Sequence, residues 1–208
     1  MKFLILHGTF GSKDGNWFPW LEGELVKLKQ DVLNPQMPVD NYEQAAAEFK
    51  KTGTYIPKNQ TLANWLATFQ TDILPWIGNE SVCVVAHSLS PAFMLSAITK
   101  YDMNVDTAIF VAPFLQNLGI DIYDEINSNF YAKDFDFEAI KKRITNSYAL
   151  CSTTDPYVSL DIAKDFAQLV GCNQVLIKDA DHMGSALTTF PLVLELCKAS
   201  VGYKQFVR

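Results

Sequence analysis

Long hydrophobic runs are missing from this sequence of 208 residues. A membrane-spanning helix needs about 20 consecutive apolar residues, and no uninterrupted apolar stretch here approaches that length. The apolar run at residues 3–6 is also too short for the hydrophobic part of a signal peptide, which takes about 7–15 residues. We therefore expect a cytoplasmic protein that has no membrane partner.

Cysteines and basic clusters are scarce as well. The four cysteines, at positions 83, 151, 172 and 197, form no C-x-x-C pair and share no zinc-like spacing with the three histidines. We expect them to be buried thiols in a reducing compartment, and we expect no metal site. The formal net charge is −6 and the isoelectric point is about 5.0, without any basic run, which argues against a nucleic-acid partner.

The composition that is present suits one soluble domain spanning residues 1–208, with 49% hydrophobic and 19% charged residues. Strand-like runs alternate with helix-like runs, which is typical of parallel βαβ units. Strands are predicted at residues 2–6, 31–34, 82–86, 107–111, 147–151 and 174–177. Helices are predicted at residues 18–28, 62–73, 91–100, 137–144, 160–170 and 191–201.

The most informative segment joins the third predicted strand to the helix after it. An apolar, β-branched run ends abruptly in the pentapeptide AHSLS at residues 86–90, as in a nucleophile elbow, where a strand, a sharp turn carrying serine and a helix follow one another. Ala86 and Ser90 stand where the usual motif has glycines, so the small volume is kept without the freedom at positive φ. The alternative is an ordinary strand-to-helix turn in which Ser88 caps the helix.

A glycine-bearing turn follows the first predicted strand, where residues 7–11 are His-Gly-Thr-Phe-Gly. Such a turn is typical of the loop that forms half of an oxyanion hole, because the glycines let a backbone N–H face the site. The donors would be the backbone N–H groups of Thr9 and of Leu89, the residue after the nucleophile. The alternatives are a plain glycine-rich turn and a phosphate loop, but no Walker A or dinucleotide pattern is present, and we expect no cofactor.

An acid and a base follow the serine in the order that a hydrolase triad requires. Asp155 comes just after the strand predicted at residues 147–151, and His182 comes just after the strand predicted at residues 174–177. A serine hydroxyl needs an imidazole to take its proton, and the imidazole needs a carboxylate to orient it. Asp179 and Asp181 are too close to His182 in sequence to reach its far ring nitrogen, so Asp155 is the stronger candidate. A merely structural or exposed histidine is the alternative.

Taken together, these motifs resemble the α/β-hydrolase superfamily, and in particular the small serine hydrolases related to retinoblastoma-binding protein nine and the YdeN-type proteins. The resemblance rests on residues 7–8, 16–21, 85–89, 152–158 and 181–182, in order along nearly the whole chain. It implies a serine hydrolase with a Ser88–His182–Asp155 triad. It also implies a three-layer α/β/α sandwich, a minimal α/β-hydrolase fold without a large cap, whose six-stranded, mainly parallel sheet has the order 2-1-3-4-5-6.

Two long connections, residues 35–60 and 113–136, remain outside these elements. The second leaves the sheet beside the elbow, which predicts a pocket wall or a small lid; packing against a neighbouring helix is the alternative. The candidate substrate contacts are apolar or aromatic neighbours of the motifs, namely Phe10, Trp17, Phe114, Tyr157 and Met183.

These motifs contain no arginine or lysine, which favours a small-molecule substrate with a neutral acyl group. We therefore predict a carboxylesterase that works through an acyl-enzyme. One alternative is a hydrolase-fold module that binds a ligand or a protein without catalysis, since Ala86 and Ser90 depart from the usual elbow. Another is an acyltransferase or amidase that uses the same triad. The sequence does not indicate the oligomeric state.

Overall fold

Parallel strands form a six-stranded sheet at the centre of the protein. The computed structural model describes residues 1–131 and 134–206, with residues 203–206 described by their backbone alone. The spatial order is β2-β1-β3-β4-β5-β6 and each neighbouring pair is parallel, which confirms the predicted sheet. The strands are β1 (Lys2–Leu6), β2 (Asp31–Leu33), β3 (Val82–His87), β4 (Val105–Val111), β5 (Ile144–Ser152) and β6 (Asn173–Ile177).

Helices connect the strands and cover the sheet on both sides. They are α1 (Phe18–Lys27), α2 (Tyr42–Thr52), α3 (Leu62–Thr68), α4 (Leu74–Ile77), α5 (Ser90–Tyr101), α6 (Asp121–Asn127), α7 (Phe137–Arg143), α8 (Leu160–Val170) and α9 (Pro191–Phe206). Residues 132–133 of the predicted pocket segment, and residues 207–208 of the predicted domain, lie outside the described residues.

Two hydrophobic cores, one on each face of the sheet, follow from the alternation of side chains along the strands. In β1, Phe3 and Ile5 face α1 and α9, whereas Leu4 and Leu6 face the side covered by α3, α5, α7 and α8. Because both faces are buried, the central strands are continuous apolar runs, and every residue of β3 is buried. The result is the three-layer α/β/α sandwich that the sequence predicted.

The predicted elements differ from the structure mainly in the two long connections. Residues 35–60 contain α2, and residues 113–136 contain α6 followed by a 3₁₀ turn, Ser128–Phe130. The helix predicted at residues 62–73 continues to Ile77 through a π-helical turn, Phe69–Ile73. Pro75 lies just after that turn, and its missing N–H cannot support a regular α-helical ladder.

The loops that carry the motifs leave the same edge of the sheet. The carboxyl ends of β1, β3, β5 and β6 all point to this edge, since the strands are parallel. Ligands of open α/β sheets bind at that edge, in the crevice outside the strand ends. Among the described residues, no helix is both long enough and apolar enough to cross a membrane.

Candidate active site

Ser88 stands at the tip of a strained turn between β3 and α5. Its φ is +63°, in the left-handed region that non-glycine residues seldom adopt. The turn is held because the Ser88 N–H donates to the carbonyl oxygen of Val111, at the end of β4, at 2.8 Å. The surrounding structure thus maintains a strained backbone conformation. The turn places the Ser88 hydroxyl at the edge of the sheet, as in a nucleophile elbow.

The two positions where the usual elbow has glycine are explained by their surroundings. Ala86 and Ser90 are fully buried, and neither belongs to the described residues with positive φ, so neither backbone needs the freedom of glycine. The Ser90 hydroxyl also donates a hydrogen bond to the carbonyl oxygen of His7 at the end of β1. A small polar side chain therefore ties the elbow to the neighbouring glycine-bearing loop.

A continuous chain of hydrogen bonds joins the predicted nucleophile, base and acid. The Ser88 hydroxyl lies 3.1 Å from Nε2 of His182, and Nδ1 of the same ring lies 2.7 Å from Oδ2 of Asp155. An ionised carboxylate can only accept, so Nδ1–H donates to Asp155 and Nε2 is free to accept the serine proton. This arrangement can move a proton from the serine hydroxyl to the imidazole.

Asp155 is held in place from its other oxygen. Its Oδ1 accepts hydrogen bonds from the N–H groups of Tyr157 and Val158, both at 2.9 Å, and only 2% of its side chain is exposed. The rival acids, Asp179 and Asp181, are both exposed. The sequence argument against them therefore agrees with the geometry, in which Asp155 alone of the three bonds the His182 ring.

The loop after β1 lies against Ser88. A β-carbon placed on Gly8 would be 2.6 Å from the Ser88 β-carbon, so only glycine allows this close approach. Within the described residues, the N–H groups of Thr9 and Leu89 are not donated to any protein acceptor. Leu89 also precedes the first residue of α5, where a helix carries partial positive charge. Both amides are thus free to donate to a ligand atom beside Ser88, as the sequence predicted for an oxyanion hole.

The other two histidines are buried and uncharged. Burial lowers the pKa of His7, whose Nε2 accepts from the N–H of Met37 at 3.0 Å. Burial also lowers the pKa of His87 to about 3, with a smaller effect from the neighbouring His182. Nε2–H of His87 donates to the carbonyl oxygen of His182 at 3.0 Å, so this ring supports the loop that carries His182.

A cavity of about 190 Å³ opens beside the Ser88 hydroxyl. Of the predicted substrate contacts, Phe114 and Tyr157 line it, and the Tyr157 ring packs edge-on against His182 with the ring centroids 5.0 Å apart. None of the lining residues among those described is Asp, Glu, Lys or Arg. The lining consists of Gly8, Thr9, Gly11, Asn16, His87, Ser88, Phe114, Leu118, Tyr123, Asn127, Tyr157, His182, Gly184 and Ser185.

The other three predicted substrate contacts lie outside the cavity lining. Trp17 and Met183 are buried in the core between the sheet and helices α1 and α9, where the indole N–H of Trp17 donates to the Met183 carbonyl oxygen at 2.8 Å. The Phe10 ring packs on Tyr42 and on Tyr123, and it is Tyr123 that reaches the cavity. The structure therefore places these three side chains in support of the site, outside the cavity lining.

Asn127 and Leu118 are lining residues that the sequence did not single out. Both come from the segment at residues 113–136, together with Phe114 and Tyr123. Neither is adjacent to a catalytic motif, and no local pattern distinguishes Asn127 from an ordinary polar residue at a helix end. Their position depends on how α6 packs against the rest of the domain, which a single sequence does not show.

The comparison with protein families agrees with this geometry. Residues 3–196 match the family model described as "Serine hydrolase". The chain belongs to the serine hydrolase family. No curated protein matches this serine hydrolase.

Solved structures resemble the serine hydrolase over nearly its whole length. The crystal structure of the ydeN gene product from B. subtilis has a TM-score of 0.77 at 22% identity, covering 97% of this chain and 98% of that one. Est1E from Butyrivibrio proteoclasticus, solved with ferulic acid bound, has a TM-score of 0.68 at 13% identity, covering 100% and 90%. A structure from work on the metagenome-derived lipolytic enzymes LipS and LipT also has a TM-score of 0.68, at 12% identity, covering 95% and 91%. At these identities the likeness shows the α/β-hydrolase fold.

Proposed function

We propose that this serine hydrolase is a carboxylesterase that cleaves small, neutral acyl esters through an acyl-enzyme. The observation that carries the proposal is the hydrogen-bond chain from the Ser88 hydroxyl through His182 to Asp155, which ends at an uncharged cavity. A serine hydroxyl is a weak nucleophile until such a neighbouring base takes its proton.

In the first half of the proposed reaction, Ser88 Oγ attacks the carbonyl carbon of the ester as its proton moves to Nε2 of His182. The carbonyl oxygen becomes an oxyanion that accepts hydrogen bonds from the amides of Thr9 and Leu89. Asp155 stabilises the imidazolium formed on His182. The intermediate collapses when the bond to the alcohol oxygen breaks and His182 gives that oxygen the proton, leaving the acyl group on Ser88.

In the second half, water replaces the alcohol. His182 takes a proton from a water molecule as the water oxygen attacks the acyl carbon. The amides of Thr9 and Leu89 again donate to the oxyanion that forms. Collapse of this intermediate returns the proton to Ser88 Oγ and releases the carboxylic acid. The 18% exposure of the His182 side chain is consistent with access for water from the open side of the cavity.

The proposed substrate class follows from the size and charge of the cavity. A volume of about 190 Å³ suits a short acyl group, and the absence of charged side chains from the described lining disfavours a carboxylate or phosphate. Phe114 and Leu118 supply apolar wall for the acyl chain. The neighbours in the structural comparison that are described as lipolytic, or that were solved with ferulic acid, support ester chemistry.

The test is the intact-protein mass after treatment with a fluorophosphonate, for the wild type and for Ser88→Ala. We expect one adduct on the wild type and none on the variant, since the reagent reports an activated serine. p-Nitrophenyl esters from acetate to octanoate then give kcat/KM as a function of acyl length, and short chains should be preferred. If folded wild type takes up no adduct and cleaves none of the esters, the proposal is wrong and a non-catalytic binding module takes its place.

A further inference from the structure

Gln60 is a fully buried amide that contacts the loop after β1. Its Oε1 accepts a hydrogen bond from the N–H of Phe10 at 2.8 Å, and its Nε2 donates to Oδ1 of Asn127 at 3.1 Å. The same Oδ1 accepts a hydrogen bond from the Thr9 hydroxyl at 2.9 Å. Because Thr9 and Phe10 are joined by a peptide bond, these three hydrogen bonds close a ring that contains Thr9.

The ring holds Thr9 on two sides. On one side, Gln60 bonds the N–H of the peptide that follows Thr9. On the other side, Gln60 orients the Asn127 amide that bonds the Thr9 hydroxyl. An amide oxygen can only accept and an amide nitrogen can only donate, so these bonds allow each of the two amides one orientation. Both ends of the Gln60 amide thus help to fix the residue whose backbone N–H is the proposed oxyanion donor.

The turn that carries Thr9 needs such a restraint. It is closed by a hydrogen bond from the N–H of Gly11 to the carbonyl oxygen of Gly8 at 3.0 Å, and Phe10, in its third position, has a φ of +52°. Glycine or asparagine is favoured at such a position, whereas a bulky residue is strained there. If its N–H lost the Gln60 acceptor, Phe10 would be free to relax towards negative φ. That change rotates the peptide between Thr9 and Phe10 and shifts the adjacent Thr9 amide.

Gln60 is fixed in turn by a buried carboxylate. Oδ2 of Asp40 accepts hydrogen bonds from the N–H groups of Lys58 and Asn59, each at 3.2 Å, and from the N–H of Gln60 at 3.0 Å. Three consecutive backbone N–H groups are therefore bound to one side chain. The Gln60 amide consequently extends from a fixed piece of backbone, at the end of the connection at residues 35–60.

We propose that Gln60 is a positioning residue for the proposed esterase, because its side-chain amide holds the Thr9 backbone N–H in the direction that the developing oxyanion requires. Gln60 is not among the residues that line the cavity in the described structure, so its effect on the reaction passes through Thr9. The inference rests on the proposed function and gives the connection at residues 35–60, which contains no catalytic motif, a part in it.

The experiment measures how strongly the enzyme prefers an oxygen anion to its sulfur analogue. The substrates are p-nitrophenyl butyrate and the corresponding thionoester, in which sulfur replaces the carbonyl oxygen, the atom that the oxyanion donors contact. Each kcat/KM is divided by the rate of hydroxide-catalysed hydrolysis of the same ester, which removes the intrinsic difference in reactivity. Sulfur is a weak hydrogen-bond acceptor, so the corrected oxygen-to-sulfur ratio reports the bonds to the oxyanion.

Gln60→Met keeps the approximate shape of the side chain and removes both of its hydrogen bonds. This variant should lower the corrected ratio by about tenfold or more, since loss of a whole oxyanion donor costs about 10²–10³-fold in rate. A general disturbance of the fold would slow the hydrolysis of both esters and leave the ratio unchanged. Gln30→Met is the matched control and should keep the wild-type ratio, because the Gln30 side chain donates to the Leu28 carbonyl oxygen, just after α1.

A second pair of variants tests the other side of the ring and does not depend on the folding of Gln60→Met. Thr9→Val removes the hydroxyl that bonds Asn127 and keeps the backbone amide, and it should lower the corrected ratio by about threefold or more. Thr9→Ser keeps the hydroxyl and should lower the ratio less. In the double variant, Thr9→Val should cost less than it does alone, because the two substitutions break the same ring.

The outcomes separate this inference from the function on which it rests. If folded Gln60→Met keeps a corrected ratio within about twofold of the wild type while Ser88 still takes up fluorophosphonate, the esterase stands and Gln60 serves only the fold. A wild-type ratio near one would also overturn the inference. If Gln60→Met does not fold, equal ratios for Thr9→Val and Thr9→Ser would overturn it. If the wild type cleaves neither ester and takes up no fluorophosphonate, the proposed function fails and this inference fails with it.

Discussion

Gly8 lies so close to Ser88, the proposed nucleophile, that one added methyl group should disable the site. In Gly8→Ala the new β-carbon would be 2.6 Å from the Ser88 β-carbon, and 3.0 Å from both the Ser88 hydroxyl and the His87 carbonyl oxygen. Carbon atoms in contact are normally about 3.5–4.0 Å apart, so the overlap is on the order of 1 Å. Gly8 does not have a positive φ, so the backbone itself would accept alanine and the effect would be steric.

The size of the effect follows from how little the neighbours can move. β1 and β3 are adjacent strands in the buried centre of the sheet, with Leu6 paired to Ala86 immediately before the two loops. The displacement must therefore fall on the Ser88 side chain or on the peptide that carries the Thr9 amide. A misplacement of about 1 Å costs on the order of 10²-fold in rate, and loss of one oxyanion donor costs about 10²–10³-fold. We expect kcat/KM to fall at least about 10²-fold.

The assay is ester hydrolysis together with thermal unfolding, and Gly23→Ala is the matched control. A β-carbon on Gly23, within helix α1, would meet nothing within 4 Å. That variant should keep full activity, and its free energy of unfolding should rise by about 0.5–1 kcal/mol, since alanine is the better helix former. Overpacking in Gly8→Ala should lower the free energy of unfolding by about 1–3 kcal/mol. Each kcal/mol should lower Tm by roughly 2–4 °C. A Gly8→Ala enzyme with activity within threefold of the wild type would refute the proposed oxyanion loop.

Three further substitutions test other parts of the site. Asp155→Asn should lower kcat by about 10³–10⁴-fold in ester assays with little loss of Tm, because the amide oxygen can still accept the two backbone bonds. Ser90→Ala should cost about 1–3 kcal/mol in urea unfolding, since it leaves the buried His7 carbonyl oxygen without its donor, while fluorophosphonate labelling of Ser88 persists. The pKa of His87 is about 3 in the folded protein against 6.5 for an ordinary histidine, so its contribution to stability is complete above pH 6.5 and is lost as the pH falls. His87→Gln, compared with wild type by urea unfolding at pH 7 and 4.5, should therefore flatten this loss by up to about 1.4 kcal/mol per pH unit. If the free energy of unfolding of His87→Gln fell as steeply between pH 7 and 4.5 as that of the wild type, this assignment to His87 would be wrong.

Most of the geometry of the proposed catalytic site was predictable, because each piece is local and comes just after a strand. The run before Ser88, the glycines at positions 8 and 11, and the spacing of Asp155 and His182 are all visible in the sequence. Parallel strands bring their carboxyl ends to one edge, so four local motifs are enough to place four loops together. The sheet order, in contrast, was predicted only from the resemblance to the α/β-hydrolase superfamily, and the structure confirms it.

The walls of the cavity were less predictable because adjacency in sequence does not determine where a side chain points. Trp17 and Met183 are each within a few residues of a motif, yet both point into the core beside α1 and α9. Met183 has a φ of +49° and Phe10 a φ of +52°, conformations that reverse the course of the chain. Asn127, in contrast, is far from every motif in sequence and reaches the cavity through the packing of α6.

The pairing of β1 with β3 explains how this site can do without the usual glycines of the elbow. Leu6 and Ala86 are partners in register, so the loop at Gly8 and the turn at Ser88 leave neighbouring strands at the same height. The alanine is small enough for the close packing of strand and helix, and the Ser90 hydroxyl adds a bond between elbow and loop that a glycine could not make. The proposed nucleophile and the proposed oxyanion donors are thereby held as one unit by the sheet. The requirement at the elbow is small volume on both sides of Ser88, and positive φ is needed only at the serine itself.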